Sequence, residues 1–206
     1  MIRVLLADDQ AMIRGALSAL LSLEDDITVV CEVGRGTDVV PSIHRCQEEG
    51  IPIDVAILDI EMPGGTGIEA TTAIRSEFPS VKCLILTTFG RPGYLQRALS
   101  AGALGFMVKE TPARELAKAI RRLHEGERVI DSNLATAALI EGSNPLSERE
   151  RELLTLTLSG DPIAEIARRV FLSEGTVRNH LSSAMAKTHT ATRMQAALLA
   201  QDNGWL

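Results

Sequence analysis

Four short apolar runs, each ending on a polar residue, constrain the fold of this chain more than any other feature. The residues that close these runs are Asp8 and Asp9 (IRVLLADD), Asp59 (IDVAILD), Thr87 (KCLILT) and Lys109 (GALGFMVK). The runs have the length and aliphatic content of strands buried on both faces, which is typical of a parallel sheet. Because the carboxyl ends of parallel strands meet at one edge of a sheet, we expect these five side chains to lie close together.

Strand patterns alternate with helix patterns over the first 125 residues. A fifth strand, ITVVCEV, follows the first helix, and a helical pattern follows each of the five strands. Five strands alternating with five helices predict an α/β domain with a doubly wound parallel sheet over residues 1–125. Residues 126–144 are expected to form a linker, in which LATAALI is a candidate short helix.

From residue 145 the pattern becomes all-helical. Ser147 and Glu150 have the spacing of a capping box at the start of a helix. Two further helices, PIAEIARRV and EGTVRNHLSSAMAKT, are joined by a tight turn, and a last helix follows. This is the helix-turn-helix pattern, so we predict a second domain over residues 145–206.

Composition and charge indicate a protein without a membrane segment. The chain is 45% hydrophobic and 23% charged, which is ordinary for a soluble globular protein, and no apolar run reaches the roughly 20 residues of a membrane span. The N-terminus enters a strand pattern at once, so we expect no signal peptide and a cytoplasmic location. Residues 1–144 hold 14 Lys/Arg against 20 Asp/Glu, whereas residues 145–206 hold seven of each, which implies different partners for the two domains.

The three cysteines are expected to be structural. Cys31, Cys46 and Cys83 lie in apolar surroundings and have no CxxC spacing. We therefore predict reduced thiols in the core and no metal or disulfide role.

The carboxylates at the predicted sheet edge suit a divalent metal. Mg²⁺ prefers oxygen ligands and usually takes one or two carboxylates together with phosphate and water. Asp9 and Asp59 are the candidate direct ligands, Asp8 is expected to act through water, and the backbone carbonyl of Glu61 adds a neutral oxygen. Asp54 opens its strand instead of closing it, so we interpret it as a surface turn residue.

The same edge suits a phosphoryl group. Asp59 is the candidate nucleophile, which would form an aspartyl phosphate. Phosphoryl transfer depends mainly on positioning and positive charge, and Lys109 supplies a positive centre beside the metal. Thr87 can donate a hydrogen bond to a phosphoryl oxygen.

These motifs resemble a known family along essentially the whole chain. The acidic pair, the aspartate followed by MPGGTG, LTT and GFMVK resemble the receiver domain of bacterial response regulators. LSERERELL and IAEIARRVFLSEGTVRNHLSSAMAK resemble the LuxR-type helix-turn-helix, and together the two halves resemble the NarL/FixJ family. DIEMPGGTGIEA and LTTFGRPGYLQRA are similar to regulators of membrane-lipid desaturation in Gram-positive bacteria.

The resemblance implies a role for each residue at the sheet edge. Asp59 matches the phosphoacceptor, Asp8 and Asp9 the acidic pocket, Thr87 the switch hydroxyl and Lys109 the phosphate-pairing lysine. A sensor histidine kinase is then the expected phosphoryl donor and Mg²⁺ the expected cofactor.

Phe106 stands at the family's switch aromatic position, although it also fits a plain core aromatic. Phosphate would draw Thr87 inward and vacate space that Phe106 fills. This would couple the charge to the face made by the fourth helix, the fifth strand and the fifth helix. Glu61 and Phe89 lie two residues beyond Asp59 and Thr87, so we expect them to control water access to the phosphoryl group.

The third helix of the second domain is the candidate recognition helix. Such a helix presents polar side chains near its N-terminus to the major groove. Arg178 and Asn179 are the candidate base readers, because Arg pairs with guanine and Asn with adenine. Ser182 stands where some family members carry a base-reading lysine. The candidate phosphate contacts are Ser173, Thr176, Arg168, Arg169 and Lys187.

Val177, Leu181 and Met185 have the spacing of the buried face of this helix, so we assign them to the core. The run that follows departs from the family's usual K-L-G-x-x-N-R, because Thr188 and His189 replace Leu and Gly. The entry into the last helix therefore lies outside the family pattern.

Taken together, the sequence predicts a transcription factor that phosphorylation switches on. The phosphorylated chain is expected to form a homodimer and to bind a double-stranded DNA operator. One alternative is a constitutive transcription factor whose receiver serves only for dimerisation. Another is an enzyme, an aspartyl-phosphate phosphatase of the haloacid-dehalogenase type, which Asp59-Ile-Glu61 loosely resembles. The chain has no cap-sized insertion to enclose a substrate, which argues against that enzyme.

Overall fold

A computed structural model describes residues 1–88, 90–131, 134–136 and 144–206. The described residues fall into two compact units, one built mainly on residues 1–136 and the other mainly on residues 144–206. Each unit has its own apolar core. Within these ranges no helix combines the length and the apolar character that a membrane crossing requires. The predicted linker helix LATAALI falls largely outside the described residues.

Strands and helices alternate through the first unit. Its elements are β1 (Ile2–Ala7), α1 (Ala11–Leu21), β2 (Ile27–Val33), α2 (Gly36–Glu48), β3 (Val55–Leu58), α3 (Gly67–Glu77), β4 (Lys82–Thr87), α4 (Pro92–Ala101), β5 (Gly105–Val108), α5 (Ala113–His124) and β6 (Val129–Ile130). The strands form one parallel sheet in the order β2-β1-β3-β4-β5-β6. The predicted doubly wound parallel fold is confirmed.

The central strands are buried as a parallel sheet requires. All four residues of β3 are buried, and so are the last four residues of β1. Helix α1 contacts α5, and α2 contacts α3, so two helical layers cover the sheet. The charged and hydroxyl residues at the ends of these strands are therefore positioned by a buried, close-packed sheet.

A sixth strand extends the predicted five. Val129 pairs with Gly105 and Ile130 with Phe106, in a stretch that the sequence assigns to the linker. Two residues are too few for a periodic pattern, so sequence reasoning had no signal for this strand. Strand β6 occupies the free edge of β5 and thereby continues the backbone ladder. The domain boundaries at residues 125 and 145 stay predictions.

Asp54 lies in the bend before β3 and is partly exposed, as interpreted, but it is also a structural anchor, which that interpretation did not include. Its Oδ2 accepts hydrogen bonds from the Arg3 backbone N–H at 2.8 Å and from Arg3 Nε at 2.9 Å, and its Oδ1 accepts one from an Arg3 guanidinium nitrogen at 2.9 Å. Burial raises the pKa of Asp54, but these hydrogen bonds outweigh burial and leave that pKa below its usual value. This bidentate ion pair holds β1 against the start of β3.

The cysteines are free and buried, as predicted. Burial raises the pKa of the Cys83 thiol to about 12, so this thiol stays protonated and unreactive at neutral pH.

The second unit contains α6 (Glu148–Leu158), α7 (Ile163–Arg169), α8 (Glu174–Thr188) and α9 (Arg193–Asp202). The predicted capping box of Ser147 and Glu150 opens α6. Val177 and Leu181 are buried and Met185 is partly buried, which confirms their assignment to the core. The turn between α7 and α8 gives the predicted helix-turn-helix.

The residues that depart from the family pattern do not change the course of the chain. His189 ends α8 in the left-handed conformation, with φ +52°, where the family's run has glycine. Its N–H donates to the Ala186 carbonyl at 3.3 Å, as at an ordinary helix end. Helix α9 then begins with a capping box of Thr192 and Gln195. The substitution therefore adds backbone strain at one residue and leaves the entry into α9 regular.

Glu150 joins α6 to α8 through a buried carboxylate that is 3% exposed. Its Oε1 accepts a hydrogen bond from Ser183 Oγ at 2.7 Å, and its Oε2 accepts from Lys187 Nζ at 2.7 Å and from the Ser147 N–H at 2.6 Å. Burial raises the pKa of Glu150, but these hydrogen bonds outweigh burial and lower that pKa from 4.5 to about 2. The ionised carboxylate is thus the form that the folded unit stabilises.

We predict that acid destabilises the second unit through Glu150. Because the folded pKa lies below the ordinary value, the stabilisation is complete above about pH 4.5 and is lost as the pH falls towards 2. The shift corresponds to about 3 kcal/mol of unfolding free energy. Urea unfolding followed by the fluorescence of Trp205, the single tryptophan, measures this unit directly because Trp205 packs on its core.

The matched variants for this prediction are Glu150→Gln and Glu152→Gln, since Glu152 is a surface carboxylate of the same helix. Glu150→Gln should be less stable at pH 7 and should lose less free energy on acidification, whereas Glu152→Gln should follow the wild type. Equal pH slopes for Glu150→Gln and the wild type would contradict the role of Glu150.

Candidate functional site

The carboxyl ends of β1, β3 and β5 bring Asp8, Asp59 and Lys109 into direct contact. Lys109 Nζ lies 2.7 Å from Asp8 Oδ2 and 2.8 Å from Asp59 Oδ2. Each of the three side chains is at most 7% exposed. The sequence prediction that these residues converge is therefore met by a buried cluster of two carboxylates and one ammonium group.

Backbone hydrogen bonds orient the two buried carboxylates. The Asp59 N–H donates to the Ala7 carbonyl at 2.9 Å, and Asp59 Oδ1 accepts from the Ile60 N–H at 2.8 Å. Asp8 Oδ1 accepts from the Gln10 N–H at 2.9 Å. One oxygen of each carboxylate is thus held by the backbone, and the other faces Lys109.

A third carboxylate completes a ligand set that fits Mg²⁺. Oxygens of Asp8, Asp9 and Asp59 lie within 4.8 Å of one another, with Asp9 on the exposed side. Carboxylate oxygens are the hard ligands that Mg²⁺ takes, and the exposed side leaves room for its waters and for phosphate. These residues could hold the ion.

A small pocket of about 70 Å³ opens at this edge. Its lining consists of Asp9, Gln10, Asp59, Glu61, Thr87 and Thr88. Sites for organic ligands usually measure about 300–1,000 Å³, so this pocket suits a phosphoryl group. Glu61 is exposed and lines this pocket, and its predicted control of water access stays a prediction. Phe89, the other residue of that prediction, lies outside the described residues.

Burial and charge set the protonation of the cluster. Burial raises the pKa of Asp59 and the nearby charge of Asp8 adds to this, while the hydrogen bond from Lys109 opposes both. Burial lowers the pKa of Lys109, but its hydrogen bonds to Asp59 and Asp8 outweigh burial and leave that pKa raised. Lys109 therefore keeps its positive charge at neutral pH, which a site for an anion requires.

Thr87 and Phe106 lie on the same face of the sheet. Phe106 pairs with Ile85 in the register of β5 and β4, and Thr87 is two residues beyond Ile85. Because side chains alternate along a strand, Thr87 and Phe106 are diagonal neighbours. Both are buried, and the Lys109 N–H donates to the Thr87 carbonyl at 2.8 Å. A shift of Thr87 would therefore act on the packing of Phe106.

Sequence reasoning missed Arg14, which supports the acidic loop. A guanidinium nitrogen of Arg14 donates to the Asp8 carbonyl at 2.5 Å, and Arg14 Nε lies 3.6 Å from Glu32 Oε2. A Cβ at Gly34 would come within 3.3 Å of the same guanidinium. The available signal was that Arg14 is the one charged residue in the apolar helix α1.

Gly67 lets α3 begin directly against the backbone of Asp59. A Cβ at this position would lie 2.1 Å from the Asp59 carbonyl oxygen, closer than any real contact. The Gly67 N–H donates to the Ile60 carbonyl at 3.1 Å, which closes the turn after β3. The last glycine of MPGGTG is therefore a condition for the position of Asp59.

The start of α8 carries four of the predicted DNA-contacting residues, Ser173, Thr176, Arg178 and Asn179. Ser173 Oγ accepts a hydrogen bond from the Thr176 N–H at 3.1 Å and so caps the helix. Arg178 and Asn179 are exposed, and Arg178 donates to Glu174 Oε2 at 2.8 Å, one turn earlier. A guanidinium paired with an exposed carboxylate can exchange it for a base edge at low cost.

The other two predicted contacts of α8 differ in their surroundings. Ser182 is exposed on the same helix. The ammonium group of Lys187 binds the buried carboxylate of Glu150, so a phosphate would have to compete with that pair. Base and phosphate contacts by these residues stay predictions.

Comparison with known families agrees with both halves of the chain. Residues 4–121 match the response regulator receiver domain, and residues 144–200 match the luxR family of bacterial regulatory proteins. The chain belongs to the response regulators that join a receiver domain to a LuxR-type DNA-binding domain. The resemblance drawn from the sequence motifs is confirmed.

Individual relatives support the same assignment. The transcriptional regulatory protein DesR of Bacillus subtilis is 42% identical over 205 residues, which cover 100% of this chain and 99% of DesR. The crystal structure of ChrA, a response regulator of a heme-sensing two-component system, has a TM-score of 0.58 and 32% identity over 100% of this chain and 98% of ChrA. The RcsB–DNA complex has a TM-score of 0.65 and 26% identity over 98% of each chain.

We predict that Gly67→Ala impairs phosphorylation of the receiver domain. The added methyl group forces Asp59 or the start of α3 to move, and a displacement of 1 Å at a reacting group can cost about 10²-fold in rate. The initial rate of labelling by acetyl phosphate with Mg²⁺, read by phosphate-affinity electrophoresis, should fall by about tenfold or more.

Gly15→Ala is the matched control, because a Cβ at Gly15 meets no atom within 4 Å. It should label at the wild-type rate and be about 1 kcal/mol more stable, since alanine favours a helix over glycine. A wild-type rate for Gly67→Ala would show that the turn after β3 does not set the position of Asp59.

Proposed function

We propose that a sensor histidine kinase phosphorylates Asp59 with Mg²⁺ bound, and that the phosphorylated chain dimerises and binds a double-stranded DNA operator. The observation that carries this proposal is the contact of Lys109 Nζ with both Asp8 and Asp59 beside the exposed Asp9. When Asp8 and Asp9 serve a divalent ion, Asp59 is the remaining carboxylate and accepts the phosphoryl group. A cytoplasmic location is part of the proposal, because both the kinase domain and the operator are there.

In the proposed reaction, a carboxylate oxygen of Asp59 attacks the phosphorus while the bond from phosphorus to the kinase histidine breaks. Mg²⁺, when bound by Asp8, Asp9, Asp59 and the Glu61 carbonyl, would offset charge on the phosphoryl oxygens. The Lys109 ammonium moves its hydrogen bond from Asp59 to a phosphoryl oxygen. Burial of Asp8, Asp59 and Lys109 limits the access of bulk water to these three side chains, while the exposed side at Asp9 stays open to the donor.

The phosphoryl group then acts on the sheet through Thr87. Its hydroxyl donates to a phosphoryl oxygen and moves towards Asp59, and Phe106 repacks into the space that Thr87 leaves. The diagonal arrangement of the two side chains on one face supports this coupling. The surface of α4, β5 and α5 changes as a result and promotes the homodimer.

The dimer would place two recognition helices in adjacent major grooves. Two-fold symmetry predicts half-sites about one helical turn apart. Arg178 and Asn179 would contact base edges, and Ser173, Thr176 and Ser182 would line the same footprint. The small size of the phosphoryl pocket and the regulator names of the relatives favour this function over an aspartyl-phosphate phosphatase.

We predict that Asp59→Asn abolishes both labelling and dimerisation. Wild-type protein incubated with acetyl phosphate and Mg²⁺ should give a retarded band in phosphate-affinity electrophoresis and a doubled mass by light scattering. Asp59→Asn should give neither, because the amide cannot accept the phosphoryl group. Removing Mg²⁺ with EDTA should have the same effect on the wild type. Asp25→Asn, at an exposed carboxylate, is the control and should behave as wild type.

Other outcomes of that experiment separate the alternatives. A retarded band without a change in mass would keep the phosphorylation and move dimerisation to the operator. The absence of a band with acetyl phosphate and with a cognate kinase, together with normal DNA binding by Asp59→Asn, would replace the proposal with a constitutive transcription factor.

We predict that Arg178 and Lys187 have different roles. A duplex selected by the wild-type protein from a random-sequence library serves as the probe. Arg178→Ala should weaken binding to it by about tenfold or more, as expected for a lost base contact, with little effect on a scrambled duplex. Lys187→Ala should instead lower the thermal stability of the second unit, because it leaves the Glu150 carboxylate buried and unpaired.

Arg45→Ala removes one exposed positive charge from α2 of the receiver domain, outside the surface of α4, β5 and α5, and controls for net charge. It should bind the selected duplex as wild type. An unchanged stability with a weaker affinity for every duplex in Lys187→Ala would assign Lys187 to a phosphate contact.

A further inference from the structure

Phe171 is the most exposed large apolar side chain of the described residues, at 94%. It lies in the turn between α7 and α8, and its neighbours Val170 and Leu172 both pack on the core of the second unit. The described phenylalanines of the first unit, Phe78 and Phe106, are buried. A phenylalanine side chain that is almost fully in water buries little apolar surface and so contributes little to folding.

The backbone of Phe171 adds a second cost. Its φ is +56°, in the left-handed region that glycine and asparagine adopt with least strain and that is unusual for a bulky residue. Hydrogen bonds fix the turn on both sides, since the Leu172 N–H donates to the Ala167 carbonyl at 3.0 Å and Arg149 donates to the Val170 carbonyl at 2.8 Å. The turn therefore holds the ring outwards.

The position of the turn indicates what covers this ring. Phe171 precedes Ser173, the cap of α8, by two residues, and so lies at the end of α8 that carries Arg178 and Asn179. A recognition helix presents this end to the major groove. The side chain of Arg168, three residues before Phe171, is 78% exposed, and a cation and an apolar ring at one turn suit a surface of phosphates, sugars and bases.

We propose that Phe171 makes an apolar contact with the DNA duplex at the margin of the recognition-helix footprint. This inference rests on the proposed DNA binding and deepens it. The DNA offers two apolar groups there, the methyl group of thymine, which phenylalanine contacts in major grooves, and the deoxyribose. The contact compensates for the exposure and the strain that the free protein carries.

The decisive variants are Phe171→Gly and Phe171→Tyr in the full chain. Phe171→Gly removes the ring and relieves the left-handed strain, so the second unit should unfold at an equal or higher urea concentration. Its affinity for the duplex selected by wild type should nevertheless fall about tenfold, as expected for the loss of a buried aromatic contact. Phe171→Tyr keeps the ring and should stay within about threefold of wild type.

His189→Gly is the matched control, because His189 is the other described non-glycine residue with a positive φ and lies at the opposite end of α8. It should also gain stability, but it should keep wild-type affinity. A similar loss of affinity in His189→Gly would mean that relaxing the ends of α8 weakens binding, and this would overturn the contact.

Replacing the thymines of the probe one at a time by deoxyuridine removes only the methyl group. This substitution distinguishes a contact with the thymine methyl group from a contact with the deoxyribose. If wild type loses affinity at one thymine of each half-site and Phe171→Gly loses none there, the ring contacts thymine. The ring contacts deoxyribose if no thymine shows this pattern and Phe171→Gly loses affinity equally for the selected and the scrambled duplex. Both results support the proposal.

Wild-type affinity of Phe171→Gly for both duplexes would refute the proposal. If transcription from the selected site is then lost, the ring serves a protein partner instead. If wild type enriches no duplex, or if Arg178→Ala and Asn179→Ala bind as wild type, the proposed recognition by α8 fails. That outcome differs from failure of the Phe171 contact alone, in which Arg178→Ala still loses affinity.

Discussion

The first unit depends on one buried cation that lies between two buried anions. Parallel β1 and β3 bring Asp8 and Asp59 to the same edge, and two adjacent carboxylates out of water repel each other strongly. Lys109, at the end of β5, lies within 2.8 Å of both and neutralises part of that repulsion. The cluster with Asp9 still carries more negative than positive charge, so a divalent cation is the natural complement and a phosphoryl group can enter only with one.

This arrangement explains how a change of charge can reach a surface. Lys109 is linked to β4 by its N–H bond to the Thr87 carbonyl, and Thr87 shares a face of the sheet with Phe106. Both side chains are buried in a close-packed layer, so one cannot move without space for the other. A packed pair of this kind has discrete arrangements, which is the property that a switch requires.

The sequence predicted the fold and the cluster because both depend on local patterns. Apolar runs with polar ends mark strands and their carboxyl edges, and parallel pairing brings these edges together. The contacts that sequence reasoning did not foresee involve partners that are distant in the sequence: Asp54 binds Arg3 across 51 residues, and Lys187 binds Glu150 across 37. The neighbouring sequence does not distinguish a charged side chain in solvent from one that is paired with a residue far away in the sequence. Strand β6 was missed because two residues have no period.

Phe171 and His189 share one backbone conformation, and each of them ends a helix. His189 adopts φ +52° at a helix C-terminus, where the left-handed conformation is the usual way to end a helix and satisfies its carbonyls. Phe171 adopts φ +56° at the corresponding position after α7, where its N–H donates to the Arg168 carbonyl at 3.4 Å and the Leu172 N–H donates to the Ala167 carbonyl at 3.0 Å. Glycine would satisfy the backbone at both positions. The end of a helix therefore explains the backbone of both residues, but it does not require the apolar ring that Phe171 exposes, and the proposed contact with DNA accounts for that ring.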